Sequence, residues 1–282
     1  LVGDAARFIF HAMNERRPFG DLLREWRQRR RLSQLGLALD AEVSAKHLSF
    51  VETGRAQPSR EMVLRLAERL DVPLRERNAM LLAAGFAPMY RERPLVDPAL
   101  QSARHAVDRL LAAHEPYPAL AVDRHWNVVL ANRLVAPLMA GAAAHLVSSP
   151  INVLRLSLHP QGLAPRIVNL AQWRVHLLQR LQRQIDVSGD AELTELLEEL
   201  REYPVHQNGS STDDEFDVAG VIVPLQLAFD ESVLSFFSAT TIFGSPVDVT
   251  LSELAIESFF PADAPTGRAL ERLAADVIKS AS

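Results

Sequence analysis

Cysteine is absent from this 282-residue chain. That absence removes disulfide frameworks, thiolate zinc sites, iron–sulfur clusters and cysteine nucleophiles together, and it fits a reducing cytoplasmic setting. Also missing is any apolar run near the ~20 residues needed to cross a bilayer. The opening LVGDAARFIFHAMNERRPFG lacks the charged, apolar and small-residue succession of a cleaved leader. The expectation is a soluble cytoplasmic protein with no membrane contact. Nine histidines are scattered without an i,i+4 pair or an H-E-x-x-H, so no metal site is expected. G-x-S-x-G, P-loop and G-x-G-x-x-G signatures are lacking as well. The cluster Asp213, Asp214, Glu215 and Asp217 has neither the ligand order nor the central glycine of a calcium loop. It reads as a solvated acidic loop. Neither catalysis nor a required cofactor is expected.

What is present is unevenly distributed. The net charge is −5, yet residues 1–95 hold 17 Lys/Arg against 12 Asp/Glu while residues 96–282 hold 13 against 23. A basic front part and an acidic remainder suit different partners. The length and a hydrophobic content of 48% allow two cored domains. The boundaries expected are an N-terminal arm over 1–20, a first domain over 21–86, a linker over 87–97 within the proline-rich APMYRERPLVDP that ends at Pro98, and a second domain over 98–282.

The stretch QLGLALDAEVSAKHLSFVETGRAQPS packs two short helical patterns around a tight break. Before it, Asp21 can cap a helix with Leu22, Leu23 and Trp26 at helical spacing. Ser33 caps the next, with Leu35, Ala38 and Leu39 inward and Gln34 in the first turn, where its donors can meet a phosphate. Ser44 caps a third, with Leu48 and Val51 inward, leaving Ala45, Lys46, Ser49 and Phe50 on the opposite face. Two helices across so short a turn form a helix–turn–helix, whose second helix fits the major groove. Lys46 can donate to guanine acceptors, Phe50 can touch a thymine methyl, and Ser44 and Ser49 can donate or accept. Arg24, Arg55 and Arg60 flank the unit as phosphate contacts. Phe50 is equally readable as a core residue, because aromatics at helical spacing usually pack inward. Ser59 caps a fourth helix along Met62, Val63, Leu66 and Leu70, and LRERNAMLLAAG supplies a fifth, closed by Gly85. The plainer alternative is a solvated helical bundle with arginine faces.

Residues 23–72, through LREWRQRRRLSQ, LAL, VSAKHLSFVETGR and PSREMVLRLAERLDV, resemble the XRE (Cro/C1-like) helix–turn–helix family. The resemblance implies an all-α, five-helix DNA-binding domain in which Arg27 pairs Glu52 as a structural salt bridge. The chain departs from the family at the left-handed turn position, where Glu42 replaces the usual glycine at a cost of about 1 kcal/mol.

The acidic part begins with a helix through Leu100, Ala103, Val107, Leu110 and Leu111 that stops at HEPYP. ALAVDRHWNVVLAN then offers strands at 119–122 and 127–130 around a polar turn, with Asn132 able to cap a helix beginning at Arg133. Helices are expected over 151–158, 166–185 and 191–202, then strands in VAGVIVPLQLAF, VLSFFSATTIFG and LAIESFFPAD, and a capped helix over 266–279. This order gives an α+β domain with a five-stranded antiparallel sheet.

HEPYPALAVDRHWNVVLAN, INVLRLSLHPQGL, PRIVNLAQW and LSFFSATTIFGSPVDVTLSELAIESFFPAD resemble the PAS-like ligand-binding domain of MmyB-like transcription regulators. The resemblance covers most of 97–265 and implies a one-component bacterial regulator that senses a small molecule. The residues add their own argument. In LSFFSATTIF, bulky Phe236 and Phe237 alternate with small residues such as Thr240, leaving volume over the sheet for helices or a ligand. Trp173 and Leu177, on the helix above, either fill that space or line it, with Leu154 as a further wall. Arg155 shares a stripe with Ile151, Leu154 and Leu158, and a guanidinium there needs an anion. That anion is an internal carboxylate or a ligand carboxylate, with His159 and Arg166 as second donors. An apolar cavity with a cationic end suits an amphiphile such as a fatty acid. The expected partners are operator DNA, a small-molecule effector and a second copy of the chain in a homodimer. Two alternatives stay open: an antitoxin-like repressor whose acidic domain binds a protein, and an enzyme fused to a DNA-binding head.

Overall fold

Serines at 33, 44 and 59 each hold the first free backbone N–H groups of a helix, accepting from Gly36, His47 and Met62 at 2.9–3.2 Å. In the computed structural model, which describes residues 17–204, 223–244 and 248–280, these caps begin α2 (Gln34–Asp40), α3 (Ala45–Glu52) and α4 (Arg60–Arg69). They stand between α1 (Phe19–Arg29) and α5 (Leu74–Ala83). The arm before residue 17, the acidic cluster from Asp213 to Asp217 and the apolar run 218–222 lie outside the described residues. Two compact units divide the chain, one of residues 1–92 with 247–249 and one of residues 93–246 with 250–282.

The first unit is the expected five-helix arrangement. Leu23, Leu37, Leu48, Val63, Leu66, Leu70, Met80 and Leu81 are fully buried together. Three local expectations need correction. α1 starts two residues before Asp21, behind Pro18, so Asp21 acts in the first turn on the helix dipole rather than as a cap. Leu35 and Leu39 are 60% and 70% exposed, and Leu37 and Ala41 face inward in their place beside the expected Ala38. LGLALDA carries apolar residues on two overlapping stripes, and a seven-residue helix is too short for periodicity to choose between them. Residues 87–90 are not a free linker: the Asn78 side chain accepts from the backbone N–H of Met89 and Tyr90 and donates to the Tyr90 carbonyl. Glu42 does sit at φ +55°, the left-handed position.

Glu52, at the end of α3, organises this unit. Its side chain is fully shielded from solvent. It receives Arg27 Nε at 2.6 Å, Arg27 Nη2 at 3.0 Å and Gln34 Nε2 at 2.7 Å. Arg27 also donates to the Leu32 carbonyl at 2.9 Å. Burial pushes the Glu52 carboxyl up, but the donors and the charges of Arg27 and Arg24 together hold it below the usual carboxylate range. The backbone is equally tight here. A Cβ on Gly20 would lie 2.4 Å from the Glu52 carbonyl oxygen, so only glycine lets α1 approach α3.

The second unit is built on a five-stranded antiparallel sheet in the order β2-β1-β5-β4-β3. Its strands are β1 (Ala119–Val122), β2 (Val128–Ala131), β3 (Leu225–Phe229), β4 (Ser232–Ile242) and β5 (Ala255–Pro261). On one face, α6 (Gln101–Ala113) sets Val107 and Leu111 against Ala119, Ala121, Leu254 and Ile256. On the other, α8 (Val153–Leu158), α9 (Leu170–Ser188) and α10 (Ala191–Glu202) join Leu227, Leu234 and Phe236 in the main core. Leu270 of α11 (Ala264–Ser280) completes that cluster. α7 is the single turn Val135–Leu138. Asn132 therefore does not cap a helix at Arg133. Buried instead, it accepts from the Ala119 and Leu134 amides and donates to the Leu111 and Tyr117 carbonyls, tying α6, β1 and the end of β2. α9 begins at Leu170 rather than 166, because Ala164–Arg166 forms a separate 3-10 turn.

Replacing Glu52 by glutamine keeps the shape but removes the anion facing Arg27. The expected loss is about 3 kcal/mol of stability in the first unit, measured by denaturant unfolding. Because the Glu52 value is depressed in the folded state, its contribution is present above the ordinary carboxylate range and disappears as pH falls through the lowered value. The stability difference between wild type and E52Q should shrink on acidification in that window.

Candidate DNA-binding face and ligand cavity

The outward side of α3 carries the expected readers. Lys46 is exposed, with its ammonium 5.7 Å from the Phe50 ring centroid; Ser44 is exposed, and Ala45, Ser49 and Phe50 are half-buried. The Ser44 hydroxyl oxygen is occupied as the cap acceptor, leaving its proton free for donation. Exposed His47 stands beside them and was not singled out from sequence, since spacing alone put it between the two faces. Among the expected phosphate contacts, Arg55 and Arg60 are exposed. Arg24 is half-exposed, donates weakly to the Glu52 carbonyl and lies 3.8 Å from its carboxylate. Gln34 is turned inward by its side-chain bond to Glu52, so its backbone amide, rather than its side chain, remains for a phosphate.

In the second unit a cavity of about 120 Å³ lies between the sheet and the helices above it. A single water needs only ~10–15 Å³ by this measure. Its walls include Leu120, Trp126, Leu138, Leu154, Leu177 and Phe236. Trp173 lines the cavity rather than filling it, because its indole N–H donates to Ser157 Oγ at 3.0 Å and holds the ring to one side. Leu154, Trp173, Leu177 and Phe236 all border the cavity.

The other expected ligand contacts lie elsewhere. Arg155 pairs with Glu199 through bonds of 2.7–3.0 Å, and Tyr203 donates to the same carboxylate. The internal-carboxylate alternative holds, so Arg155 supplies no cationic end to the cavity. His159 packs edge-on against His145 and Tyr203 and accepts from the Gln161 amide. Arg166 donates to the Ala140 and Ala228 carbonyls, where burial lowers its pKa. Phe237 points to the opposite sheet face and stacks on Phe260 at 5.1 Å, since strand alternation sends 236 and 238 inward and 237 outward. Thr240 does not touch the cavity but bonds to both members of its charged pair.

That pair was missed from sequence. Arg180 of α9 and Glu257 of β5 line the cavity and join through Nη1 to Oε2 at 3.1 Å and a second bond from Nη2 to Oε1. Their partnership spans 77 positions and two element types, so no local pattern announces it. The Arg180 guanidinium also lies 4.5 Å from the Trp126 ring, within cation–π range.

Trp126 is held by the turn between β1 and β2. It sits at φ +69° and its indole donates to Gln184 Oε1 at 2.8 Å. Beside it, His125 Nε2 faces Asp190 at 3.0 Å and Nδ1 faces Glu192 at 3.2 Å, while Arg124 reaches Asp190 at 3.1 Å. The Asp190 bond holds His125 above the usual imidazole range against burial and the Arg124 charge; the same bond, with Arg124, holds Asp190 below its usual range. The His125 contribution is complete below the ordinary imidazole value and is lost as pH rises through its raised one. The Asp190 contribution is lost as pH falls through its lowered one. Hydrogen exchange at residues 123–127 should be slowest between those limits and should accelerate as pH rises past the imidazole range, after correction for intrinsic rates.

An exposed reading helix and a separate domain with an apolar cavity define a class: a DNA-binding unit joined to a ligand-binding one. The family model of the MmyB-like transcription regulator ligand binding domain matches residues 103–273, and that of a helix-turn-helix domain matches residues 18–80. The first match spans more than half of the chain, which therefore belongs to the MmyB-like transcription regulator family. Both models describe regulatory rather than enzymatic families. No match is found among curated proteins. A solved structure described as that of an RNA-binding Light-Oxygen-Voltage receptor aligns with 99% of this chain and 67% of its own, at 14% identity and a TM-score of 0.27, too distant a likeness to indicate a common fold.

Proposed function

We propose that this transcription regulator reads an operator with α3 and that an apolar or amphiphilic small molecule in the cavity over the sheet changes its DNA affinity. The observation that carries the reading is an apolar cavity in the ligand-binding unit of a chain whose other unit presents Lys46 and its neighbours to solvent. Ser44, Ala45, Lys46, Ser49 and Phe50 take the base edges, and Arg24, Arg55, Arg60 and the α2 N-terminus take phosphates. Two copies act together, because paired half-sites multiply the modest affinity of a single reading helix. The apolar portion of a fatty acid matches the walls, although the anchor expected for its carboxylate, Arg155, is engaged with Glu199.

Ligand occupancy can alter DNA binding only through unequal affinity for two states of the protein. Operator titrations with and without an acyl-chain amphiphile, monitored by fluorescence anisotropy, test this coupling directly. Equal affinity at ligand saturation would defeat the reading.

On the DNA side, Lys46→Ala should cost ~1–3 kcal/mol on the operator and little on random duplex. Arg55→Ala should weaken both alike and reduce the salt slope by about one. On the ligand side, Ser238→Leu fills the cavity from β4 and should abolish the ligand-induced rise in melting temperature while leaving random-duplex binding intact.

A further inference from the structure

We infer that the cavity selects an uncharged polar headgroup, such as a hydroxyl or a carboxamide, over a carboxylate, and that Glu257 sets this choice. The inference rests on reading the cavity as the effector site.

Among the described residues, the polar side chains lining the cavity are Ser157, Ser238, Arg180 and Glu257. Ser157 already accepts from Trp173. Arg180 is the cation among these described residues, and it arrives with its counter-charge in place. Both guanidinium Nη atoms are directed at the Glu257 carboxylate, Nη2 also meets Thr240 Oγ1 at 2.8 Å, and Thr240 Oγ1 donates to Glu257 Oε1 at 3.0 Å. The Glu257 side chain is only 5% exposed, and the guanidinium lies against Trp126. His176, stacked on Trp173, adds no positive charge at neutral pH: burial and the charges of Arg180 and Arg183 hold it below the usual imidazole range.

A ligand carboxylate reaching Arg180 would therefore enter a site already neutral, leaving one uncompensated anion beside Glu257 among leucine and aromatic walls. Like charges at such separations oppose ionisation, and an apolar surround strengthens that opposition. Displacing Glu257 offers no escape, since it would strand the glutamate in the interior without its cation. An uncharged headgroup meets neither obstacle. A guanidinium has five N–H donors, and those not directed at Glu257 or Thr240 can donate to a carbonyl or hydroxyl oxygen. The Glu257 carboxylate and the Ser238 hydroxyl can in turn accept from an O–H or amide N–H. The balance of charge is complete before the ligand arrives, so the ligand need only satisfy hydrogen bonds. A cationic headgroup is disfavoured for the mirror reason, since it would face Arg180.

The test compares three compounds with the same chain: dodecanol, dodecanamide and sodium dodecanoate, each below its aggregation limit. They are titrated into the full-length protein at neutral pH, with the fluorescence of the cavity tryptophans and calorimetry as readouts. The expected result is binding of dodecanol and dodecanamide at least about tenfold tighter than dodecanoate. In Glu257→Gln the order should narrow or invert, because Arg180 is then free to pair with the carboxylate. Wild-type affinity for dodecanoate equal to or above that for the neutral pair overturns the headgroup assignment while leaving the cavity as the effector site. An unchanged ratio in a folded E257Q overturns the role of Glu257. Binding of none of the three, with no change in Trp126 or Trp173 emission, removes the cavity reading and this inference with it. Should E257Q fail to fold, the wild-type ratio alone decides the headgroup.

Discussion

A carboxylate taken out of water must be answered by fixed donors, and each unit of this chain is arranged around one such group. In the helical unit, Glu52 is enclosed completely and draws Arg27 and Gln34 onto itself, with Arg24 at longer range. Those residues come from α1 and α2, so the carboxylate at the end of α3 fixes the position of that helix against both neighbours. Gly20 permits the close backbone approach that makes this geometry reachable. α3 is thus oriented by charge on its inner side, and its outer side stays open to solvent.

In the α+β unit, Glu257 plays the corresponding part with a different outcome. Its partner Arg180 projects from α9 across a gap that the helices do not close. Trp126 and Trp173 are each fastened by an indole hydrogen bond, to Gln184 and Ser157, which holds large rings at the wall instead of in the middle. Aromatic bulk that would ordinarily occupy the space is tethered around it, and a cavity remains. The charged pair sits at its polar end, neutral as a whole. On the proposed reading, recognition there turns on hydrogen bonding and shape more than on ion pairing.

Much of this was legible from residue order. The three serine caps, the inward Leu48 and Val51 and the outward Lys46 follow from local rules that involve only neighbours in sequence, whereas the left-handed Glu42 was implied by the family resemblance. The strand at Ala119–Val122 and the helix at Ala191–Glu202 fall on their expected bounds for the same reason. Leu35 and Leu39 were misread because a seven-residue helix offers too little periodicity to set its own phase. Arg155 was recognised correctly as a cation in need of an anion, but its partner Glu199 lies 44 positions away, beyond the reach of local pattern.

Sequence by itself determined the helix–turn–helix, the α+β order of strands and helices, and the apolar faces of the helices long enough to set their own phase. Each depends on interactions within a few residues or on a repeating period. Only tertiary structure decided which buried charge meets which. Arg180 and Glu257 form the polar end of the cavity, whereas Arg155, His159 and Arg166 are consumed in structural contacts around it. A guanidinium carries the same requirement wherever it stands, and the folded chain alone determines whether that requirement is met by protein or left for a ligand.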